Sequence, residues 1–404
     1  MLITLIAGIS AALAASFAAG AHGADVRTPG SPGIHAVVKP GTWIRVAVTD
    51  SGFNEAGMLR TANGNLHLVW RKRFNSGKFG YGWTTISPTG QPLASGTVLS
   101  GWTSLEGDPR LVPSGSGLRL IFIGGANTDP NNFFSKGAVY TSTSPQGSSW
   151  HLVHGSMANH TVLNLGVAAV NTASGKPAAA FGLNNVLFFH AGVDPSAPAA
   201  SPDETVATGP VATGIAGAAL ARAANGQVWV AWYDQGYRTR QILPAVRPAI
   251  KAPSSGSGSP DNEPRQQVAL AARAGGGLYL AYCGASALMP CARVNLWHVG
   301  SAKPVLVPGS RTGSSGLVAL TAAPGGRLWV AWYDFGANVI HAVLTNPAAT
   351  GFGPVHTIKP PPATFIFNGL QIAATATRLD LTVNVLLNKP GNPIGFWHTQ
   401  ILAK

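Results

Sequence analysis

At 404 residues, with 27 Lys and Arg against 14 Asp and Glu, the chain carries a formal net charge of +13, which owes more to scarce acids than to abundant bases. Only 10% of it is charged, whereas Gly numbers 50 and Pro 30, a turn-rich composition that excludes a mainly helical protein and points to an all-β fold with a substantial core. No Lys/Arg-rich run interleaved with aromatics is present, so the basicity suits acidic polysaccharide or another extracellular polyanion and not a specific nucleic-acid groove.

The segment "MLITLIAGISAALAASFAAGAHGA" reads as a secretory signal peptide cut after Gly23, with residues 1–23 removed. No Lys or Arg precedes its apolar run, which leaves an uncleaved anchor as the alternative. No later segment is long and apolar enough to cross a bilayer, so the mature chain is expected to be secreted or extracytoplasmic, free of the membrane and monomeric.

A strand-like alternation, "TWIRVAVTD" (Thr42 to Asp50), has no unit of its own. After it a turn followed by an alternating apolar strand recurs seven times: "NGNLHLVWRKR", "SGLRLIFIGG", "SGKPAAAFGLN", "NGQVWVAWYDQG", "GGGLYLAYCG", "GGRLWVAWYDFG" and "TRLDLTVNVLL". The period is roughly fifty residues, that of a four-stranded propeller blade. Each marker follows an Ala/Val-rich strand such as "GAALARA" or "LVALTAA". Small side chains belong where blades converge on the axis, and Trp and Tyr on the wider second strand. The last unit stops after three strands, which the N-terminal strand would complete. The expectation is a single seven-bladed β-propeller over residues 33–404, with six blades as the alternative; the segments 194–203 and 251–265 are long loops within it.

Cys283 and Cys291 are expected to pair across adjacent strands, worth about 2–3 kcal/mol for so short a loop. They lack neighbouring metal ligands, and His190, His298, His341 and His398 fall on the third strands of separate blades. Neither a metal nor a cofactor is therefore expected, "ANTDPNN" (Ala126 to Asn132) being at most a loose calcium loop.

Within a blade, the loop between second and third strands shares a face with the loop leading into the next first strand, at the mouth of the axial funnel where ligands bind. The former loops hold Trp70, Arg71, Lys72 and Arg73, then Tyr233, Asp234, Tyr237 and Arg238, then Tyr333 and Asp334. The latter hold Asp108 and Arg110 in "GDPRLV", and Glu263 and Arg265 in "NEPRQQV". Asp234 and Asp334, at strand ends beside Gly, read as turn-closing residues. Tyr233, Tyr333, Trp70, Tyr237, Arg71, Arg110, Arg238 and Arg265 are the expected ligand contacts.

The turn "TSPQGSSW" (Thr143 to Trp150) resembles the Asp box of sialidase-like propellers: Thr143, Gly147, Ser149 and Trp150 match, and Pro145 replaces the Asp. The "G-x-LWVAW" strands are similar to repeats of the same superfamily. The resemblance implies a carboxylate grip by Arg71, Arg110 and Arg265, a nucleophile in Tyr233 or Tyr333 with Glu263 as partner, and Asp108 as acid. A polysaccharide lyase would instead use Tyr237 beside Arg238 or Arg240. The reading is a secreted, sialidase-like propeller that recognises glycans at its funnel-mouth loops. A sialidase-type glycosidase or lyase on that face, or an extracellular protein-interaction scaffold, are the alternatives.

Overall fold

The computed structural model describes residues 39–48, 55–105, 108–125, 138–153, 167–183, 186–191, 204–208, 216–234, 236–254, 268–284, 291–361, 364–387 and 394–403. All belong to the unit Ala36–Lys404. The expected signal segment, the calcium-loop candidate, Glu263 and Arg265 lie outside them.

The described residues form seven antiparallel sheets, one for each repeat, and the fold is a seven-bladed β-propeller. Consecutive first strands lie side by side around the ring, the seventh blade's Thr364–Ala374 returning beside the first blade's Gly57–Arg60. In the second blade the inner strand is split into Ser104–Leu105 and Arg110–Ser114, both paired with Gly117–Gly125. The stretch Thr143–Trp150 is the turn between that blade's third and fourth strands, Ala138–Ser144 and His151–Val153, with Gly147 at a φ of 76° that favours glycine.

The repeated "WVAWYD" strand owes its form to blade stacking. Successive side chains of a strand point to opposite faces. Trp232 accordingly packs with Ala178, Ala180 and Leu187 of the third blade, while its neighbour Tyr233 packs with Leu280 and Tyr282 of the fifth. One hundred residues on, Trp332 packs with Ala281 and Leu296 of the fifth blade and Tyr333 with Leu381 and Val383 of the seventh. One large ring per face fills the wedge between adjacent sheets, and the apolar clusters of the described residues each straddle two neighbouring blades.

The tight turns share a device as well. In the turn Ala223–Gln227 the N–H of Ala223 donates to Gln227 O at 2.8 Å and that of Gly226 to Ala223 O at 2.9 Å, with Gly226 at a φ of 84°. The same pattern recurs at Thr61–Asn65, Phe74–Lys78, Ser87–Gln91, Thr172–Lys176 and Arg273–Gly277. The left-handed fourth position explains the Gly-x spacing read in the repeats.

The ring closes as expected: the short N-terminal strand Ile44–Arg45 pairs with the last strand, Gly395–Leu402, Ile44 facing His398 and Arg45 facing Trp397. Gly41 N–H donates to Gln400 O at 2.7 Å and the Thr399 hydroxyl to Thr42 O at 2.9 Å. Beneath this seam Asp380 is fully buried. Its carboxylate pairs with Arg60 of the first blade and lies 2.8 Å from both His398 Nε2 and Gln400 Nε2. Burial pushes the Asp380 pKa up, but the bonds and charge of His398, with Arg60 and Gln400, outweigh it and hold the carboxyl below its usual range.

A carboxylate held low in the fold stabilises it above the unfolded carboxylate pKa, roughly 3.9, and loses that contribution as pH falls through the folded value. Asp380→Asn strands Arg60 and should lower stability at neutral pH by about 3–5 kcal/mol. Thermal melts of both proteins across pH should show the gap narrowing below about pH 4; a gap independent of pH would refute the ionic account.

Candidate functional site

The seven first strands enclose a cavity of about 340 Å³ on the axis, lined by every blade from Met58 in the first round to Ile372 in the seventh. Most of the wall is Ala, Val and Leu, as the crowding of the axis requires. Its polar groups are Glu55, Asp108 and Arg110, at the starts of the first strands of the first and second blades, and Gln371, within the first strand of the seventh.

Backbone and side chains lock this group together. Glu55 N–H donates to Asp108 Oδ1 at 2.8 Å, and Ala56 N–H to Gln371 Oε1 at 3.0 Å. The Arg110 guanidinium donates through Nη2 to Glu55 Oε2 at 2.8 Å and through Nη1 to Pro109 O at 3.2 Å. Glu55 and Asp108 are buried, whereas the Arg110 side chain keeps 26% of its surface exposed at the cavity rim. Glu55 and the Pro109 carbonyl thus orient one accessible guanidinium, whose remaining N–H groups suit a carboxylate or sulfate.

Of the residues expected from sequence, Asp108 and Arg110 meet here. Glu55 and Gln371 were not among them. Glu55 has a legible signal: it stands two residues before the first strand of its blade, in "NEAG", as Asp108 does in "GDPR". Gln371 lies inside a strand of its own blade and carries no such mark.

Arg71 lies elsewhere, on the second-to-third-strand hairpin of the first blade. Its Nη1 donates to Leu105 O at 2.8 Å and its guanidinium lies 5.1 Å from the Phe79 ring centre. Arg238 is held by Asp234, Nε to Oδ2 at 3.3 Å. The described arginines do not converge on one pocket as a three-arginine grip would need, and Arg265 lies outside the described residues.

The aromatic candidates are core residues. Tyr233 and Tyr333 have no exposed surface, Tyr237 is 2% exposed and Trp70 6%. Tyr233, Tyr237 and Tyr282 pack ring against ring, with 5.2 Å between successive centres. These side chains fill the wedges between blades, so no sugar reaches them and no nucleophile or base is offered there. Burial, reinforced by Tyr233, raises the Tyr237 phenol far above its ordinary value, the opposite of what a lyase base needs.

Asp334 closes its turn as read: Oδ1 accepts from Gly336 N–H at 2.9 Å and Ala337 N–H at 3.0 Å. Burial pushes its pKa up, but Ser314 and these N–H groups prevail and hold it low. Cys283 and Cys291 form a disulfide with Cα atoms 5.5 Å apart, closing the second-to-third-strand loop of the fifth blade. Cys291 N–H then donates to Ser315 O of the sixth blade at 2.6 Å. The third-strand histidines serve their own blades: His298 stacks on Tyr279 at 4.9 Å and His341 lies 5.1 Å from the Trp332 ring centre. Among the described residues no cluster of three or more His, Cys, Asp or Glu is placed to hold a metal ion.

No protein-family model matches the chain, and no curated protein matches it. Among solved structures it is similar to a puromycin-hydrolysing peptidase of Mycobacterium tuberculosis, with a TM-score of 0.50 at 10% identity over 90% of this chain and 55% of that one. The chain therefore spans about half the length of that peptidase. It is also similar to the polysaccharide lyase Uly1, with a TM-score of 0.50 at 9% identity over 87% of this chain and 90% of that one. The NanB sialidase of Streptococcus pneumoniae aligns with a TM-score of 0.48 at 7% identity over 76% of this chain and 68% of that one. At such identities the first two likenesses show a shared propeller fold and nothing finer.

Burial also sets the alkaline behaviour of the tyrosines. Tyr282 is raised to about 12, chiefly by burial, and Tyr237 further. In a spectrophotometric titration these two phenols should stay protonated through the ordinary phenol range around pH 10, and release their protons only near or beyond pH 12 or on unfolding. Tyr237→Phe should leave the early part of the curve unchanged; early loss of amplitude would place that phenol at the surface.

Proposed function

We propose that the protein is a secreted, sialidase-like propeller that binds acidic glycans at the mouth of its axial channel. Arg110 holds the anionic group there. The observation that carries this is the accessible Arg110 guanidinium, fixed by Glu55 and Pro109 O at the rim of a cavity of about 340 Å³. The net charge of +13 would draw polyanions to it, and the fold shared with a polysaccharide lyase agrees with the reading. Secretion is supported by the apolar N-terminal run and by the disulfide.

A catalytic version on the same face would rest on two buried carboxylates, Glu55, which pairs with Arg110, and Asp108, which accepts from Glu55 N–H. Mass spectrometry after long incubation with acidic polysaccharides separates the two versions: a released sugar or an unsaturated end marks an enzyme, and intact polymer leaves binding alone.

Calorimetric titration with short uronate- and sialate-bearing oligosaccharides, against neutral analogues, tests the site. Acidic ligands should bind preferentially, and Arg110→Ala should weaken them roughly ten- to hundredfold, the worth of a charge-assisted hydrogen bond or two. Equal affinity for acidic and neutral sugars, or an unaffected Arg110→Ala protein of native melting temperature, would remove the proposal.

A further inference from the structure

The first blade, from Gly57 to Trp102, contains five cations and no Asp or Glu. One of them, Arg60, is turned to Asp380 at the ring seam. The other four, Arg71, Lys72, Arg73 and Lys78, fall on a single hairpin formed by the strands Leu66–Arg73 and Phe79–Ile86. Gly57, where the first strand begins, faces Val69 in the register, so the hairpin runs on from Trp70 to Arg73 beyond it. At the usual rise it projects roughly 13 Å past the start of the inner strand, on the face where the channel opens.

Its tip is rigid. Phe74 N–H donates to Lys78 O at 2.8 Å and Gly77 N–H to Phe74 O at 2.9 Å, the turn used throughout the fold. The cations are held against two phenylalanines. Arg71 and Arg73 lie 5.1 Å and 5.8 Å from the Phe79 ring centre, and Lys72 Nζ lies 4.5 Å from that of Phe74 on the other face. Lys72 Nζ also donates to Thr97 Oγ1 at 3.2 Å. Among the described residues Lys72, Arg73 and Lys78 have no carboxylate partner. Like charges this close are costly unless an anion covers them.

We infer that this hairpin is a docking rail for a long polyanionic polysaccharide, one whose chain continues outward from a unit held at Arg110. The inference rests on the reading of the channel mouth as an acidic-glycan site and adds that the ligand is a polymer. The hairpin and the mouth are linked directly: Arg71 Nη1 bonds Leu105 O, three residues before Asp108 in the chain. A repeating uronate or sulfate presents anions along an extended chain and needs only cations and N–H donors in return. Single-stranded nucleic acid would need open aromatic faces for its bases, and here the rings carry the protein's own cations.

The test uses the full chain and three ligands: polygalacturonate, a galacturonate trisaccharide, and duplex DNA of matched charge, each titrated at several salt concentrations. The triple variant Lys72→Gln, Arg73→Gln, Lys78→Gln should lose roughly tenfold or more in polymer affinity and show a shallower salt dependence, because fewer counterions are released. Its trisaccharide affinity should be unchanged, whereas Arg110→Ala weakens trisaccharide binding roughly ten- to hundredfold. The charge-retaining variant Lys72→Arg, Arg73→Lys, Lys78→Arg should keep polymer affinity within about twofold, separating charge from fold damage. Unchanged polymer affinity in the Gln variant, equal loss in the charge-retaining one, or DNA bound as tightly as polysaccharide would each overturn the rail. Polymer binding that depends on the hairpin with no response to Arg110→Ala would keep the rail and refute the channel-mouth site.

Discussion

The ring of blades closes at a short seam between the two ends of the chain. Six interfaces between neighbouring sheets arise from chain order alone, but the seventh must join the end of the chain to its beginning. There Ile44 and Arg45 pair with His398 and Trp397, flanked by backbone bonds from Gly41 to Gln400 and from Val46 and Ala47 to Phe396. So short a strand gives few ladder bonds, and the chain reinforces it from below with a fully buried carboxylate. Asp380 gathers Arg60 from the first blade and His398 and Gln400 from the last strand, so losing any one partner leaves charge or polar surface unsatisfied in the core. Elsewhere arginines make lesser clamps of the same sort: Arg222 Nη1 donates to Thr172 O in the preceding blade at 2.8 Å, and Arg273 reaches Pro347 O in the following one.

The ring explains why the architecture could be read from sequence and most of the site could not. A blade must bury both faces of a narrow sheet, so large residues recur at fixed places in the repeat. Trp232 with Tyr233 and Trp332 with Tyr333 are that requirement written as adjacent letters, one ring for each neighbour. The same requirement misleads a reader searching for ligand contacts. An aromatic at the end of a second strand sits near the loop face in sequence, yet its side chain is drawn sideways into the wedge between blades. Tyr233, Tyr237, Tyr333 and Trp70 are core for this reason.

Asp108 and Arg110 escaped that ambiguity because they stand at the start of a first strand, beside the axial cavity. Glu55 follows the same rule with a less marked flanking sequence, lacking the Pro and Arg that set off "GDPR". Gln371 is illegible by any local pattern. It enters the site because the seventh blade's inner strand has irregular register between Asn368 and Gln371, which displaces the side chain from simple alternation. Its meaning depends on Ala56, 315 residues away in the chain.

The distribution of charge carries the last step. A propeller needs no acid at its axis; Ala, Val and Leu are enough to fill it, and they do so for most of the wall. This chain has only 14 acids, yet two of them, Glu55 and Asp108, are buried at the cavity, Glu55 pairing with Arg110 and Asp108 bonding the Glu55 backbone. Burying carboxylates is unfavourable unless they are well bonded, and a seam-closing role is already filled by Asp380 on another part of the ring. The cations show the complementary choice, with four on one hairpin of a blade whose own sequence holds no Asp or Glu. An acid placed where it orients a cation, and three cations, Lys72, Arg73 and Lys78, with no carboxylate partner among the described residues, leave the loop face with positive charge that an extended anion is suited to satisfy.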